Sequence, residues 1–241
     1  MSDEQAIQEI LKQLEPFKRI TYIPITETGQ PTYSTASKIG GYPYLRNQSD
    51  WPVCPHCNKN MQLFLQLNLQ ELPTKKSDGL VQLFYCTNND ADCESKGDAW
   101  SPFSDVVVCR RIEIVSGPVR LEPKMDELFE EKRIINWKAE DDYPHYEDFA
   151  ELGIEVDDEQ YEIAQNNDKG VPLSGDKLFG WPYWIQGSEY PNDRKTGAKM
   201  EMLFQLDSEI NLPFMFGDSG AGHLTQSPDN DQELAFGWAC Y

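Results

Sequence analysis

The chain has 241 residues, 39% hydrophobic and 12% aromatic, a composition that suits a globular protein with a substantial core and excludes a disordered one. Its formal net charge of −20 repels nucleic-acid phosphates and anionic membrane surfaces. Neither nucleic acid nor membrane is therefore an expected partner, and a basic protein client is.

Residues 2–15 read as an amphipathic helix. Ser2 and Gln5 have the spacing of a capping box, Ile7, Ile10, Leu11 and Leu14 make an apolar stripe, and Pro16 ends it. The acidic start, Met1-Ser2-Asp3-Glu4-Gln5, contains no apolar signal region, and no run approaches the roughly 18 apolar residues of a membrane helix. The expected location is cytoplasmic, where six cysteines are expected to be reduced.

Strand signals follow at Thr21–Ile23, Gln62–Leu67, Leu80–Tyr85 and Val106 through Ile114. Residues 124–165 differ. Between Asp126 and Glu162, fifteen Asp or Glu stand against Lys132, Arg133 and Lys138. The spacing of Leu128, Phe129, Ile134 and Ile135, then of Phe149 and Leu152, predicts short amphipathic helices, with Gly153 and Gly170 as stops. Within this acidic region, residues 140–159 offer a patch for a basic partner.

The two flanking parts look duplicated. Residues 38–68 align with 177–207 without a gap at a constant offset of 139, and nine of the 31 positions are identical. They are Lys38, Gly41, Pro43, Tyr44, Ser49, Pro52, Met61, Gln66 and Leu67. Chance at ordinary composition gives roughly two. The predicted class is mainly β, a β-rich α+β fold, with two pseudo-symmetric β repeats, an N-terminal helix and a partly helical acidic connector. A single domain over 1–241 is made of a first repeat at 17–120, a connector at 121–169 and a second repeat at 170–241. A cleft between the repeats is the expected binding place. Its client-binding candidates are the aromatics Tyr44, Trp51, Trp181, Tyr183 and Trp184, with Asp141 and Asp142 from the acidic segment.

Cys54-Pro55-His56-Cys57 is a C-x2-C knuckle, followed by Cys86 and Cys93. Two close thiolates and two from a distant turn complete a zinc tetrahedron, so these four cysteines are the candidate metal ligands and zinc the expected structural cofactor. Asp92 or His56 could replace one sulfur. Buried free thiols and a redox C-x-x-C are the alternatives, though Pro52 and Pro55 favour a loop over the helix start a redox pair needs. Cys54 and Cys57 align with Asp193 and Thr196, so the second repeat lacks the ligands. A site present in one copy reads as a clasp and not as a catalytic centre.

Gly217-Asp218-Ser219-Gly220 looks like a serine-nucleophile stretch. No histidine stands in a suitable base context, so it reads as a turn between strands at 214–216 and 223–225. His145 reads as a capping residue, His223 as a core or cleft residue, and Cys109 and Cys240 as core residues.

The run Lys38-Ile39-Gly40-Gly41-Tyr42-Pro43, then Trp51-Pro52 with Cys54 and Cys57, and Met61 through Leu69, resembles the YwqG-like family of uncharacterised proteins. Gly180-Trp181-Pro182, Phe204 through Asp207 and Gly217 through Gly220 agree with it in order. More distantly, Gly40, Gly41, Pro43, Cys54, Cys57 and Cys86 are similar to a pattern in programmed cell death protein 2 and its relatives, chaperones of a small-subunit ribosomal protein. The resemblance implies a two-repeat β fold with no catalytic residues to carry over. It implies a cytosolic protein-binding module, a chaperone for a basic ribosomal client. The alternatives are an immunity-type protein that neutralises a toxin, and an enzyme using His223 and Asp218 in the inter-repeat cleft.

Overall fold

The computed structural model describes residues 3–29, 34–74, 77–115, 127–158, 162 and 171–241. Helix α1 (Asp3–Leu14) buries Ile7, Ile10 and Leu14 as its apolar spacing requires, and Pro16 falls in a single 3-10 turn that ends it. Ser2, the expected cap, and Gly170, the second expected stop, lie outside the described residues. Among the described residues no helix is long and apolar enough to cross a membrane.

The protein is mainly β. Among the described residues, ten antiparallel strands form one nearly closed sheet: β1 (Arg19–Thr28), β2 (Lys38–Ile39), β3 (Gln62–Asn68), β4 (Leu80–Tyr85), β5 (Val107–Ile112), β6 (Lys132–Asp142), β7 (Lys177–Leu178), β8 (Glu201–Asp207), β9 (Ala221–Gln226) and β10 (Leu234–Ala239). Their order is β10-β9-β8-β7-β1-β6-β2-β3-β4-β5, which is symmetric about the central β1–β6 pair. Each half is led by the strand of the other: β2 pairs with β6, and β7 with β1.

The sequence repeat has a structural counterpart. Lys38 faces Gln66 across β2–β3 as Lys177 faces Gln205 across β7–β8. The bulge at Leu63/Leu65 recurs at Met202/Phe204. Gln66 Oε1 accepts the Tyr44 amide at 2.8 Å, and Gln205 Oε1 accepts the Tyr183 amide at 2.8 Å. The segment after each Gly-Pro turn is thus laid on a buried glutamine. The opposite side of the sheet is apolar. Phe64 and Tyr85 stack at 4.8 Å, and Phe214 and Phe216 pack on both. Residues 214–216 are loop and not the expected strand, because their two phenylalanines are drawn into this aromatic core.

The acidic segment corrects one expectation. Residues 132–142, expected to begin with an amphipathic helix, are the longest strand. The misreading has a physical origin. The register of β1 against β6 slips between Ile25 and Thr26, which face Asn136 and Ile134 and leave Ile135 as the bulged residue. The adjacent apolar pair Ile134 and Ile135, taken as part of one helix face, is split by the bulge: Ile134 is buried and Ile135 is exposed. The second expectation holds: α3 (Tyr146–Leu152) buries Phe149, is capped by His145 and ends at Gly153 with φ +68°.

Two buried ion pairs fasten the halves to β6. Lys38 Nζ lies 3.0 Å from Glu131 Oε2, just ahead of β6, and Lys177 Nζ lies 2.9 Å from Asp142 Oδ2 at its end. All four side chains have 0% exposure. Burial holds both lysines below their ordinary range, opposed by the facing carboxylate. Asp142 also accepts the Trp181 amide at 2.7 Å and the Leu173 amide at 2.9 Å, so its charge is fully solvated by the chain. Gly41 and Gly180 make room for the carboxylates. Both have positive φ, +72° and +84°, and a Cβ would meet Glu131 Oε2 at 2.5 Å in the first and collide with Asp142 Oδ2 in the second. Removing one partner of such a pair strands a buried charge. Lys177→Met is therefore expected to cost about 3–5 kcal/mol in urea or guanidinium unfolding, far more than an exposed lysine change.

Candidate metal centre

The knuckle is a turn fixed by three backbone hydrogen bonds. Cys54 N donates to Lys59 O, Asn58 N to Cys54 O, and Met61 N to Pro52 O, each at 2.9 Å. Asn58 supplies the left-handed residue the turn needs, at φ +57°. The other two cysteines come from one loop between β4 and β5. Cys86 directly follows β4, and its amide donates to Val106 O at 3.0 Å, closing the loop at its base. Cys93 opens the short helix α2 (Cys93–Lys96) after Asp92 takes φ +51°.

These elements bring Cys54, Cys57, Cys86 and Cys93 together. Cys54 Sγ lies 3.7 Å from Cys93 Sγ and Cys57 Sγ 3.7 Å from Cys86 Sγ, and all four sulfurs lie within 4.8 Å of one another. No disulfide joins them. Thiolates about 2.3 Å from a tetrahedral zinc are separated by edges of about 3.8 Å. The cluster has that size, so its residues fit a metal ion without rearranging the chain. Cys54, Cys86 and Cys93 are buried and Cys57 is half-buried. Burial opposes ionisation of Cys57, but the Asn88 side chain, the Lys59 amide and the neighbouring sulfhydryls outweigh it and bring the thiol to about 6. Burial pushes Cys93 up to about 11 and Cys86 higher still. His56 turns aside to Asp105, Nε2 to Oδ1 at 2.9 Å, and the four donors are all sulfur.

The second repeat shows the same turn without a metal set. Asp193 N donates to Ala198 O at 2.8 Å, Gly197 N to Asp193 O at 2.9 Å, and Met200 N to Pro191 O at 2.9 Å. At the position of Cys54, Asp193 Oδ1 accepts the Lys195 amide at 2.7 Å and the Thr196 amide at 3.0 Å. A carboxylate thus holds together in one copy a loop whose counterpart carries sulfur in the other.

The expected client surface fares differently. Tyr44, Trp51, Trp181 and Trp184 are buried, and each aromatic polar atom is satisfied inside the chain. Trp51 Nε1 donates to Met61 O at 2.9 Å, Trp181 Nε1 to Phe17 O at 2.8 Å, and Trp184 Nε1 to Asp148 Oδ2 at 3.1 Å, while Tyr44 Oη donates to Val115 O at 3.2 Å. Asp142 is wholly buried in its ion pair. These five residues are therefore core, because the Gly-Pro turns fold their aromatics inward. Tyr183 is half-buried and Asp141 exposed, 3.4 Å from Lys18.

Ser219 is exposed on a turn with φ +56°. His223 is buried against Trp184, ring centroids 4.7 Å apart, and its Nε2 meets no hydrogen-bond partner among the described residues. Asp218, its expected acid, stands exposed on that turn. The sequence reading missed the roles of Lys38 and Lys177, although an identical lysine in both copies was the signal available. Asp105 and Glu94, which tie the cysteine loop, carried no signal.

The chain is thus a two-repeat β protein with a four-cysteine cluster that could hold a metal ion. The family model described as a domain of unknown function, DUF1963, matches residues 37–241, and the chain belongs to that family. No curated protein matches it.

Burial, then the charge of Lys177, lowers His223 to about 3 and His145 to about 4. Unfolding frees both to protonate near 6.5. Their neutral burial stabilises the fold fully above that pH, and the contribution is lost as pH falls from about 6.5 towards 4, by roughly 1.4 kcal/mol per unit for each. Gln82 holds the equivalent place in the first half and donates to Tyr44 O at 2.7 Å. His223→Gln is therefore expected to fold and to reduce by about half the two histidines' share of the stability lost between pH 6.5 and 4. Denaturant unfolding across that range checks it.

Proposed function

We propose that this is a cytoplasmic, non-enzymatic binding protein, stabilised by one structural zinc, that holds a basic protein client on its acidic surface. The sulfur cluster carries the reading. Four thiolates fill a tetrahedral zinc completely and leave no position for water or substrate, which catalytic zinc requires. When bound, zinc would supply charge that keeps the four sulfurs ionised and cross-links the knuckle to the β4–β5 loop. The buried, uncharged histidines also argue against acid–base chemistry. The net charge of −20 and the exposed acids Asp141, Glu147, Glu151, Glu155 and Asp157 support a basic client. The likeness to the YwqG-like family and to programmed cell death protein 2 points to a ribosomal or other nascent client.

Metal analysis of protein purified without chelator is expected to find about one zinc per chain, absent in Cys54→Ser. Chelation should lower the melting temperature, since a structural zinc contributes on the order of 10 kcal/mol in small zinc domains. Protein without metal would refute the zinc. For the client, capture from native lysate should enrich one basic protein that is lost at raised salt. Neutralising Asp141, Glu147, Glu151 and Glu155 together should abolish the capture; unchanged capture would sink the acidic surface as its site.

A further inference from the structure

The sheet is open between β5 and β10, whose backbones form no ladder with each other. The loop that carries Cys86 and Cys93 fills this seam. From the first half it is held by the four-sulfur cluster and by the 2.9 Å pair of His56 with Asp105. Towards the second half it reaches β10 directly. Trp238 N donates to Trp100 O at 3.0 Å, and the two indole rings meet edge to face at 6.3 Å. Gly237 lies so close beneath the loop that a Cβ would stand 3.0 Å from Trp100 O and 3.3 Å from the Pro102 ring. Arg194 of the second knuckle stacks on Phe103 at 4.4 Å. A buried relay joins the same elements: Trp238 Nε1 donates to Tyr85 Oη at 3.1 Å, and Tyr85 Oη donates to Glu94 Oε2 at 2.9 Å. Tyr85 precedes Cys86, and Glu94 follows Cys93.

We infer that the metal centre is the latch of the whole sheet: by fixing residues 86–106 it closes the β5–β10 seam and locks the second half onto the first. This rests on the reading that the four thiolates hold a metal. A metal that only stiffened the knuckle would leave β10 untouched. A latch couples the two. Loss of the metal frees the loop, removes the partner of the Trp238 amide and exposes the edge of β10. The coupling is reciprocal, so weakening the loop's hold on β10 must also weaken metal binding.

The test uses the full chain, zinc-loaded and then stripped with a chelator, with backbone amide hydrogen exchange as the readout. Latching predicts at least tenfold faster exchange across Leu234–Ala239 on stripping, unchanged exchange in the β1–β6 pair, and recovery when zinc alone is returned. A rise confined to residues 52–60 and 86–106 overturns it. The second measurement needs no stripped protein. Trp100 is half-exposed, so Trp100→Ala spares the core, and it should release zinc to a chromophoric chelator severalfold faster than the parent chain. An unchanged release rate overturns the latch. Absence of metal from the parent chain defeats both this inference and the zinc reading, whereas stoichiometric metal with an indifferent β10 defeats this inference alone.

Discussion

One strand carries both halves of this protein. β6 has a buried carboxylate at each end, Glu131 just before it and Asp142 as its last residue, and each takes the lysine that begins one half of the sheet. A charge with no exposure tolerates no slack, because any displacement of Lys38 or Lys177 leaves an ion without partner or water. The register of β2 and β7 is therefore set by ionic contacts as well as by strand pairing. Gly41 and Gly180 recur in both copies because the carboxylates occupy the space a side chain would need.

From that anchored centre the two halves diverge in how they finish. Each builds the same knuckle-like turn, with the same hydrogen bonds at the same offset. In the second half the Asp193 carboxylate caps the turn from within, accepting the Lys195 and Thr196 amides. In the first, sulfur reaches outward to a second loop, and that loop lies against the far edge of the sheet. Internal symmetry thus brings β5 and β10 face to face, and an asymmetric feature occupies the gap between them. His223 shows a similar divergence: it stands where Gln82 stands in the first half, and burial keeps it neutral.

Much of this was legible beforehand for local reasons. The 139-residue offset survives because turns and bulges depend on residues near in sequence, such as Gly41, Pro43 and Met61 and their counterparts. The knuckle was legible because two ligands two residues apart share one turn. The strand at 132–142 was not. Its bulge interrupts the strand alternation at Ile134 and Ile135, an apolar pair that reads as one helix face, and its partner β1 lies more than a hundred residues earlier. The aromatics after the Gly-Pro turns were misplaced for a related reason. A tryptophan beside a turn fits a groove or a core equally well, and only the position of Met61, Phe17 and Asp148 beside the indole nitrogens sends these three inward.

The sequence by itself determined the mainly β class, the duplication, the helix α1 and the set of cysteines, since each depends on residue spacing and local backbone preference. Only the tertiary structure decided that the repeats exchange their leading strands, that Lys38 and Lys177 are paired with acids drawn from one strand, and that the cysteine loop spans the seam. Those features join residues up to about 150 positions apart, and no local pattern encodes them, because a buried charge or an open sheet edge selects its partner by proximity after the chain has folded.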